Sequence, residues 1–315
     1  MKITILGAAG FIGTNLSIKL LNDEKNDLLL VDKSKKYFSE LTKEKLEYSN
    51  YRIFECGFNN ETDFDEILKG QDVLYHLVST TAPSTSNQRI SEELQANIIV
   101  TTRMLDACVR CGVKKIIFLS SGGTVYGKEV ECPLNEETST YPISSYGIQK
   151  ITIEKLLYLY NYLHGIEYKV IRLANPYGPF QRPNGVLGAV TTFIYKAIKK
   201  EEIRVFGDGT VVRDFIYIDD AIEGILRIAN GHSKYSTYNL GSGVGIDLNK
   251  LLSIISETLN IDLDITYLES READVPVNYL DISRYEKDFG KFTPLSLENG
   301  IRKTAEFMNK RNVIQ

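Results

Sequence analysis

The sequence predicts an α/β protein built on a doubly wound parallel β-sheet. Three observations support this prediction. The chain opens with an apolar strand, a glycine-rich turn and a helix. Strand and helix patterns then alternate, which favours a parallel sheet covered by helices on both faces. Polar loops at residues 79–86 and 120–127 directly follow apolar strands, where open α/β sheets bind their ligands.

Composition excludes several classes of protein. At 315 residues with 25% charged side chains, the chain is an ordinary globular protein with room for one large or two modest domains. A net charge of −4 without extended Lys/Arg clusters predicts no nucleic-acid partner. A strand pattern begins at residue 2 and no apolar run approaches ~18 residues, so we expect no signal peptide, no membrane partner and a cytoplasmic location. Cys108 and Cys111 lie within one predicted helix without a second pair, so we expect no metal site.

The first unit of the chain has the pattern of a dinucleotide-binding turn. An apolar strand at 2–6 ends in a G-x-x-G-x-x-G run, and helical spacing follows. Gly7 allows a tight turn, Gly10 lets the backbone approach a pyrophosphate at the helix N-terminus, and Gly13 allows the helix to pack closely on the strand.

Asp32 strengthens this interpretation. It ends the second apolar strand, at 28–31, and lies 19 residues after Gly13. A dinucleotide-binding fold places the carboxylate that binds the adenosine ribose hydroxyls near this position. A carboxylate there favours NAD over NADP, whose 2′-phosphate it would repel, although Lys33, Lys35 and Lys36 follow closely. The alternative is an exposed loop aspartate.

The chain continues with further units of the same kind. Buried strands are predicted at 72–78 and 114–119, with a long helix at 91–111 between them.

Tyr146 and Lys150 form the candidate catalytic pair. In a helix this spacing places the phenol and the ammonium one turn apart on one face, and a nearby cation favours the anionic phenol that a general base requires. The same spacing recurs at Tyr195 and Lys199. That second pair lies in a pattern typical of an amphipathic helix with a solvated basic face, so it is the weaker candidate.

These motifs, taken in order, resemble the extended short-chain dehydrogenase/reductase family, and within it the NAD-dependent nucleotide-sugar epimerases of the UDP-glucose 4-epimerase type. The resemblance covers nearly the whole chain. It rests on Asp32, Asn97 and the runs at 7–13, 72–77, 124–127, 146–150, 172–179, 212–220, 238–243 and 271–276. It implies a Rossmann-type NAD-binding domain and a smaller α/β domain that binds the nucleotide sugar.

The resemblance implies a mechanism and the residues that perform it. Tyr146 takes the proton of the sugar 4-hydroxyl while NAD accepts the hydride from C4, and Lys150 depresses the phenol pKa and binds the nicotinamide ribose. Relatives carry a serine or threonine two residues before Thr124, where this chain has Gly122. We therefore assign the bridging hydroxyl to Thr124, with Ser121 as a weaker candidate and a structural Thr124 as the alternative.

The remaining site residues also follow from the resemblance. The cofactor set comprises Gly7, Gly10, Phe11, Ile12, Gly13, Asp32, Phe58, Leu77, Asn97, Tyr146 and Lys150. The substrate set comprises Thr124, Asn175, Phe206, Arg213, Arg271 and Asp274. Arginine suits the pyrophosphate of a UDP-sugar because its planar fork binds two oxygens at once.

Two further departures from the family pattern affect the cofactor contacts. Gly57 stands where relatives use an aspartate to bind the adenine amino group, which leaves the Phe58 amide as the adenine contact or implies a different loop register. Residues 79–81 replace a smaller turn, and the nicotinamide contacts there are open.

The resemblance also predicts how the chain is organised. The NAD-binding domain is expected at 1–175 plus about 214–242, and the nucleotide-sugar domain at about 176–213 plus 243–315. A homodimer is expected through the helices at 91–111 and 144–164. Their apolar residues exceed the need of one sheet face: Ile98, Met104, Leu105, Leu156, Leu157, Leu159 and Tyr160.

The expected activity is NAD-dependent inversion of C4 in a UDP-hexose through a transient 4-keto sugar. Dehydratases of the family carry an Asp-Glu pair directly after the threonine, whereas this chain has Val125 and Tyr126. The alternatives are a nucleotide-sugar 4-ketoreductase or dehydratase and, in another class, a non-catalytic NAD-binding sensor or scaffold.

Overall fold

A computed structural model describes residues 1–38, 50–81, 86–128, 130–183, 188–270 and 275–311. The chain divides into two compact units. The first contains Met1–Ser120, Ser144–Ile171 and Ile228–Thr237, and the second contains Ser121–Ile143, Arg172–Arg227 and Tyr238–Gln315. These units are groups of mutually packed residues, whereas the predicted domains are defined by the ligand they bind. The predicted domain boundaries therefore stay a prediction.

A seven-stranded sheet forms the centre of the fold. Its strands are β1 (Lys2–Leu6), β2 (Asp27–Asp32), β3 (Tyr51–Glu55), β4 (Val73–His76), β5 (Lys115–Ser121), β6 (Glu167–Leu173) and β10 (Thr237–Leu240). They lie in the order β10-β6-β5-β4-β1-β2-β3. β1 pairs in parallel with β2 and β4, β2 with β3, and β4 with β5. The direction of winding reverses beside β1, so the predicted doubly wound α/β fold is confirmed.

The helices of the first unit follow the predicted alternation, with one difference. They are α1 (Phe11–Leu21), α2 (Phe64–Leu68), α3 (Ile90–Leu94), α4 (Val100–Cys111) and α5 (Ser145–His164), with a 3₁₀ turn at Lys35–Phe38. The predicted continuous helix at 91–111 is interrupted by a π-helical turn at Gln95–Ile99. Its wider turn cannot be recognised from apolar spacing, and such turns occur frequently at functional sites.

An apolar cluster joins the central strands to α2, α4 and α5. This cluster contains four of the seven apolar residues on which the predicted homodimer was based. Met104, Leu105, Leu157 and Tyr160 are buried in this cluster, so they serve the core of one chain. Ile98 and Leu156 are half-buried, and Leu159 is exposed.

The second unit is built around β9 (Val212–Tyr217). This strand pairs in parallel with β7 (Asn175–Tyr177) and β13 (Val277–Asn278), and antiparallel with β11 (Gly245–Asp247). β8 (Ile203–Phe206) and β12 (Ile265–Leu268) form a separate parallel pair. The helices are α6 (Ala189–Lys199), α7 (Ile218–Asn230), α8 (Leu248–Leu259), α9 (Ser283–Phe289) and α10 (Leu297–Lys310), of which α7 extends into the first unit.

Three further findings concern the described ranges. None of their helices is both long and apolar enough to cross a membrane. They contain no group of three or more His, Cys, Asp or Glu side chains arranged to hold a metal ion. Cys108 and Cys111 close α4 as free thiols, and Cys56 and Cys132 are also free.

Candidate active site

The glycine turn between β1 and α1 is closed by backbone hydrogen bonds. The amides of Gly7 and Ala8 donate to the carbonyl of Val31, at 2.9 and 3.1 Å. A Cβ atom on Gly13 would lie 2.2 Å from the Gly7 carbonyl oxygen and 2.8 Å from the Ala8 Cα. Because no side chain fits there, glycine allows α1 to pack directly on the turn, for the reason given from the sequence.

The N-terminus of α1 is suited to an anion. Gly10 is its N-cap residue and offers no side chain to the first turn, which also contains no acidic residue. Amides at the start of a helix lack partners within the helix and carry partial positive charge. Phe11 and Ile12, the first residues of α1, are half-buried. Their amides are therefore placed where a dinucleotide pyrophosphate would bind.

Asp32 ends β2 beside the glycine turn. Its Oδ2 accepts a hydrogen bond from the Ala9 amide at 3.0 Å, and its Oδ1 accepts one from the Lys33 amide at 2.8 Å. A carboxylate has about four acceptor positions, so two such bonds fix its orientation and leave capacity for further donors. This geometry fits a carboxylate that receives ribose hydroxyls.

Phe58 and Leu77 are held by their packing and backbone. The Phe58 ring stacks on His76 at 5.3 Å between centroids and meets Phe64 edge-on at 5.7 Å. The Leu77 amide donates to the Leu6 carbonyl at 3.1 Å, which extends the pairing of β4 with β1. The carbonyl of Gly57 accepts a hydrogen bond from Thr62 Oγ1 at 2.7 Å.

Asn97 lies in the π-helical turn and is buried. Its Oδ1 accepts a hydrogen bond from the Thr80 amide, and its Nδ2 donates to the Glu93 carbonyl, both at 3.1 Å. Thr81 Oγ1 in turn donates to Gln149 Oε1 on α5 at 3.3 Å. The turn at 79–81, whose contacts the sequence left open, is thus hydrogen-bonded to Asn97 in the π-helical turn and to Gln149 on α5.

Tyr146 and Lys150 occupy successive turns of α5, as predicted. Ser144 caps this helix by accepting a hydrogen bond from the Gly147 amide at 3.2 Å. The Lys150 ammonium lies 5.4 Å from the centre of the Tyr146 ring and donates to the Leu119 carbonyl at 2.8 Å. The cation is therefore held beside the phenol by the carboxyl end of β5.

Burial shifts the pKa values of Tyr146 and Lys150 in opposite directions. It lowers the pKa of Lys150 to about 8, against the opposing effect of Glu154. It raises the pKa of Tyr146 to about 12. The depressed phenol pKa that the resemblance implies therefore needs more positive charge than Lys150 supplies, and the nicotinamide ring of NAD would provide it.

The second pair, Tyr195 and Lys199, lies on α6. Both side chains are half-buried, and Lys199 belongs to the basic last turn of this amphipathic helix. This agrees with the ordinary helix that the sequence predicts.

The loop after β5 belongs to the second unit, and its Gly122 has a packing reason. A Cβ atom on Gly122 would lie 2.6 Å from Leu280 Cδ1 and 3.1 Å from the Arg172 carbonyl oxygen. The Gly122 amide donates to the Leu173 carbonyl at 2.8 Å, and its carbonyl accepts from Asn278 Nδ2 at 3.1 Å. The space that a serine would require is thus filled by Leu280.

Thr124 carries a hydroxyl that is buried and lacks a hydrogen-bond partner among the described residues. Leaving such a group unpaired costs about 1–3 kcal/mol, which makes it a candidate for binding a ligand. Ser121 is half-buried, and its carbonyl accepts the Val125 amide at 3.3 Å. The orphaned hydroxyl supports Thr124 over Ser121.

A buried polar network that sequence reasoning missed fixes the end of this loop. Tyr126 donates its hydroxyl proton to Asn239 Oδ1 at 2.6 Å and accepts a hydrogen bond from Arg172 at 3.1 Å. The Asn239 amide donates to Glu136 Oε1 at 2.8 Å. Arg172 and Tyr126 lie in motifs that carry the resemblance. Their network was missed because Asn239 lies 113 residues from Tyr126 and because Glu136 belongs to no motif.

Asp214 is a second residue that sequence reasoning missed. Its buried carboxylate accepts hydrogen bonds from the Ser242 amide and hydroxyl at 2.7 and 2.6 Å, and from the amides of Gly243 and Leu280 at 3.2 and 3.3 Å. Burial nevertheless raises its pKa. Its backbone carbonyl accepts a hydrogen bond from Asn175 Nδ2 at 2.9 Å. Asp214 therefore positions both the predicted amide Asn175 and the leucine that fills the space beside Gly122.

Of the other predicted substrate residues, Phe206 is half-buried at the end of β8. Arg213 lies on β9 and donates to the carbonyls of Val212 and Val275, at 2.8 and 2.6 Å. Arg271 and Asp274 lie outside the described residues. The contact with Val275 places Arg213 beside the segment that follows Asp274.

A model of the NAD dependent epimerase/dehydratase family matches residues 3–241 of the chain. The chain belongs to this family. The family is NAD-dependent, which confirms the predicted cofactor. The glycine turn, the anion-accepting start of α1 and the Asp32 carboxylate fit that cofactor.

Three similar proteins match along nearly their full length. A putative UDP-glucose 4-epimerase of Methanocaldococcus jannaschii is 30% identical, over 98% of this chain and 99% of its own. The structure of the Thermotoga maritima UDP-glucose 4-epimerase with UDP-glucose has a TM-score of 0.91 at 31% identity, covering 99% of this chain and 100% of that one. The Bacillus cereus UDP-glucuronic acid 4-epimerase with UDP-glucuronic acid and NAD has a TM-score of 0.88 at 26% identity, covering 99% and 100%.

The packing of Leu280 against Gly122 can be tested by substitution. We expect Gly122→Ser to lower the free energy of unfolding by about 1–3 kcal/mol, because the added atoms overpack a full site. Gly123→Ala is the matched control, since a Cβ atom there would lie 3.9 Å from its nearest neighbour. Chemical denaturation measures both variants. Equal stability of the two would contradict the assigned role of Leu280.

Proposed function

We propose that this protein is an NAD-dependent epimerase that inverts C4 of a UDP-hexose through a transient 4-keto sugar. The observation that carries the proposal is the Tyr146/Lys150 pair, assembled on α5 beside the carboxyl end of β5. Val125 and Tyr126 are both fully buried where a dehydratase would present its two carboxylates. Without an acid to protonate a leaving hydroxyl, the 4-keto sugar keeps its C6 hydroxyl and takes the hydride back.

Each residue has a distinct part in this reaction. NAD, held by the glycine turn and Asp32, would supply the hydride acceptor for oxidation at C4 and the hydride donor for its reversal. Tyr146 takes the proton of the 4-hydroxyl and gives it back when the hydride returns, so no net oxidant or base is consumed. Lys150 stabilises the phenolate by its charge, and the Thr124 hydroxyl bridges the substrate oxygen and the phenol.

The proposed binding residues divide between cofactor and substrate. Asp32 receives the adenosine ribose hydroxyls, and the amides of Phe11 and Ile12 receive the pyrophosphate of NAD. Arg213, together with Arg271 and Asp274, holds the nucleotide end of the UDP-sugar. Arg182, which would suit a uronate carboxylate, is exposed. Of the small residues at 185–189 that would leave room for an N-acetyl group, 185–187 lie outside the described ranges.

Incubation with UDP-glucose, UDP-N-acetylglucosamine and UDP-glucuronate, each followed by proton NMR, tests the function. Inversion at C4 of any one, without added reduced cofactor, supports an epimerase. Release of water would indicate a dehydratase, and turnover that requires added NADH would indicate a 4-ketoreductase. Retained NAD with no reaction on any sugar would favour the sensor or scaffold.

We further propose a homodimer formed by α4 and α5. Ile148, Leu159 and Tyr162 are exposed along α5, and Ile99 precedes α4 with half its surface exposed. Tyr160 and Asp106 join the two helices through a 2.5 Å hydrogen bond, which makes them one supporting surface.

Light scattering at micromolar concentration is expected to give the mass of two chains. Leu159→Asp is expected to give one chain, because a charge would be buried without a partner in the interface. Lys287→Asp, at an exposed position of α9 outside the proposed interface, is the control. A monomeric parent protein would refute the proposed dimer.

The four free thiols agree with a cytoplasmic location, since oxidising compartments favour disulfides. Because UDP-sugars are donors for glycan assembly, we propose a role in polysaccharide biosynthesis.

A further inference from the structure

Lys150 is held in a position that is unfavourable for a charge. Its side chain is only 5% exposed, and its ammonium lies 4.7 Å from the centre of the Phe118 ring. The described hydrogen bond of this ammonium goes to the neutral carbonyl of Leu119. A buried ammonium without an opposite charge tends to lose its proton instead of remaining charged.

A second buried charge lies one turn further along the same helix. Glu154 is 6% exposed and follows Lys150 by four residues, which places both side chains on one face of α5. Ser120, itself 5% exposed, donates its hydroxyl proton to Glu154 Oε1 at 2.5 Å. Leu119 and Ser120 are neighbours on β5, so the end of one strand holds both side chains.

We propose that Glu154 is the buried counter-charge that keeps Lys150 protonated beside Tyr146, and that Ser120 fixes its carboxylate for this purpose. Glu154 is a positioning residue, since it acts through Lys150. The inference rests on the proposed function, which requires a charged Lys150 during proton transfer.

The other groups around this pair do not supply the same charge. His76 on β4 faces Lys150, and burial lowers the pKa of its imidazole to about 3, so it is neutral. Tyr168 on β6 faces Glu154, and burial raises the pKa of its phenol, so it is also neutral. On the α3 and α4 side, Glu93 accepts a hydrogen bond from Gln149, and Asp106 accepts one from Tyr160. Each of these two carboxylates is thus bound at another position of α5.

Titration of Lys150 tests the proposal without turnover. In protein labelled with ¹⁵N-lysine and loaded with NAD, the Lys150 side-chain resonance is the one that Lys150→Arg removes. In Glu154→Gln we expect the pKa of Lys150 to fall by about one unit, because the carboxylate charge is lost while the length of the side chain is kept. Glu167→Gln, which removes the same charge from the exposed partner of the half-buried Lys115, is expected to leave the pKa of Lys150 unchanged. A Lys150 pKa in Glu154→Gln within about 0.2 units of the parent protein would overturn the proposal.

A second readout follows if the proposed function holds. The decline of kcat at high pH is expected to move to lower pH by about one unit in Glu154→Gln, and to stay in place in Glu167→Gln. A purely structural role of Glu154 would lower kcat or stability at every pH without moving this limb. A shifted Lys150 pKa in a protein that epimerises no sugar would uphold the counter-charge and refute the function. An unshifted Lys150 pKa in a protein that epimerises a UDP-sugar would uphold the function and refute the counter-charge.

A further variant keeps the test available if Glu154→Gln is too unstable to titrate. Ser120→Ala/Glu154→Met removes both partners of the hydrogen bond and leaves no buried polar group unpaired between them. The same fall in the Lys150 pKa is expected, and an unchanged pKa in the folded double variant would overturn the proposal.

Discussion

Tyr146→Phe is expected to reduce kcat for the UDP-sugar by at least ~10²-fold, because the variant has no group to take the proton of the 4-hydroxyl. NAD binding is expected to persist, since the ring is retained and the glycine turn and Asp32 are untouched. Turnover by NMR and retained NAD by absorbance measure the two effects.

Tyr195→Phe is the matched control for this variant. Tyr195 has the same spacing to a lysine but lies on α6 in the second unit, so its loss is expected to leave kcat unchanged. Activity of Tyr146→Phe within about threefold of the parent protein would contradict the assignment of the general base.

Gly13→Val is expected to weaken NAD binding by about 10²-fold, because any Cβ atom at this position meets the backbone of Gly7 and Ala8. Backbone cannot move aside as a flexible side chain can, so α1 must shift away from the turn and its first amides no longer converge on the pyrophosphate. Equilibrium titration with NAD measures the affinity.

Lys19→Val places the same β-branched side chain at an exposed position of α1 and controls for helix propensity. Comparison of the two variants separates the close approach at Gly13 from a general weakening of the helix. Equal NAD affinity for both would show that the turn tolerates a side chain and would remove the geometric basis for the motif.

The sequence predicted those parts of the site that depend on local spacing. The Gly7–Gly13 turn, Asp32 and the Tyr146/Lys150 pair each lie within one strand–helix unit, where periodicity and glycine placement determine geometry. The parallel sheet followed from the same alternation. Apolar spacing also predicted α4 and α5, but it did not separate residues that face the sheet from those that face solvent.

What escaped prediction depends on contacts between distant segments. Asp214 meets Ser242 and Leu280, and Tyr126 meets Asn239, across 28 to 113 residues of chain. No pattern in one sequence indicates such pairs. The π-helical turn around Asn97 was missed because apolar periodicity predicts a helix without specifying whether its hydrogen bonds follow the α or the π pattern. The sequence does not distinguish Glu154 from an ordinary surface glutamate, because only the structure shows that its side chain is buried.

The contact between Gly122 and Leu280 also constrains how this chain can evolve. The family resemblance implies a hydroxyl at the position of Gly122 in related epimerases, and to acquire one this chain must change two residues that lie far apart in sequence. If serine comes first, it overpacks the site at a cost of about 1–3 kcal/mol. If a smaller residue replaces Leu280 first, the cavity costs about 2–5 kcal/mol. Either order is expected to pass through a less stable intermediate, so the effects of the two substitutions on the free energy of unfolding are expected to be non-additive.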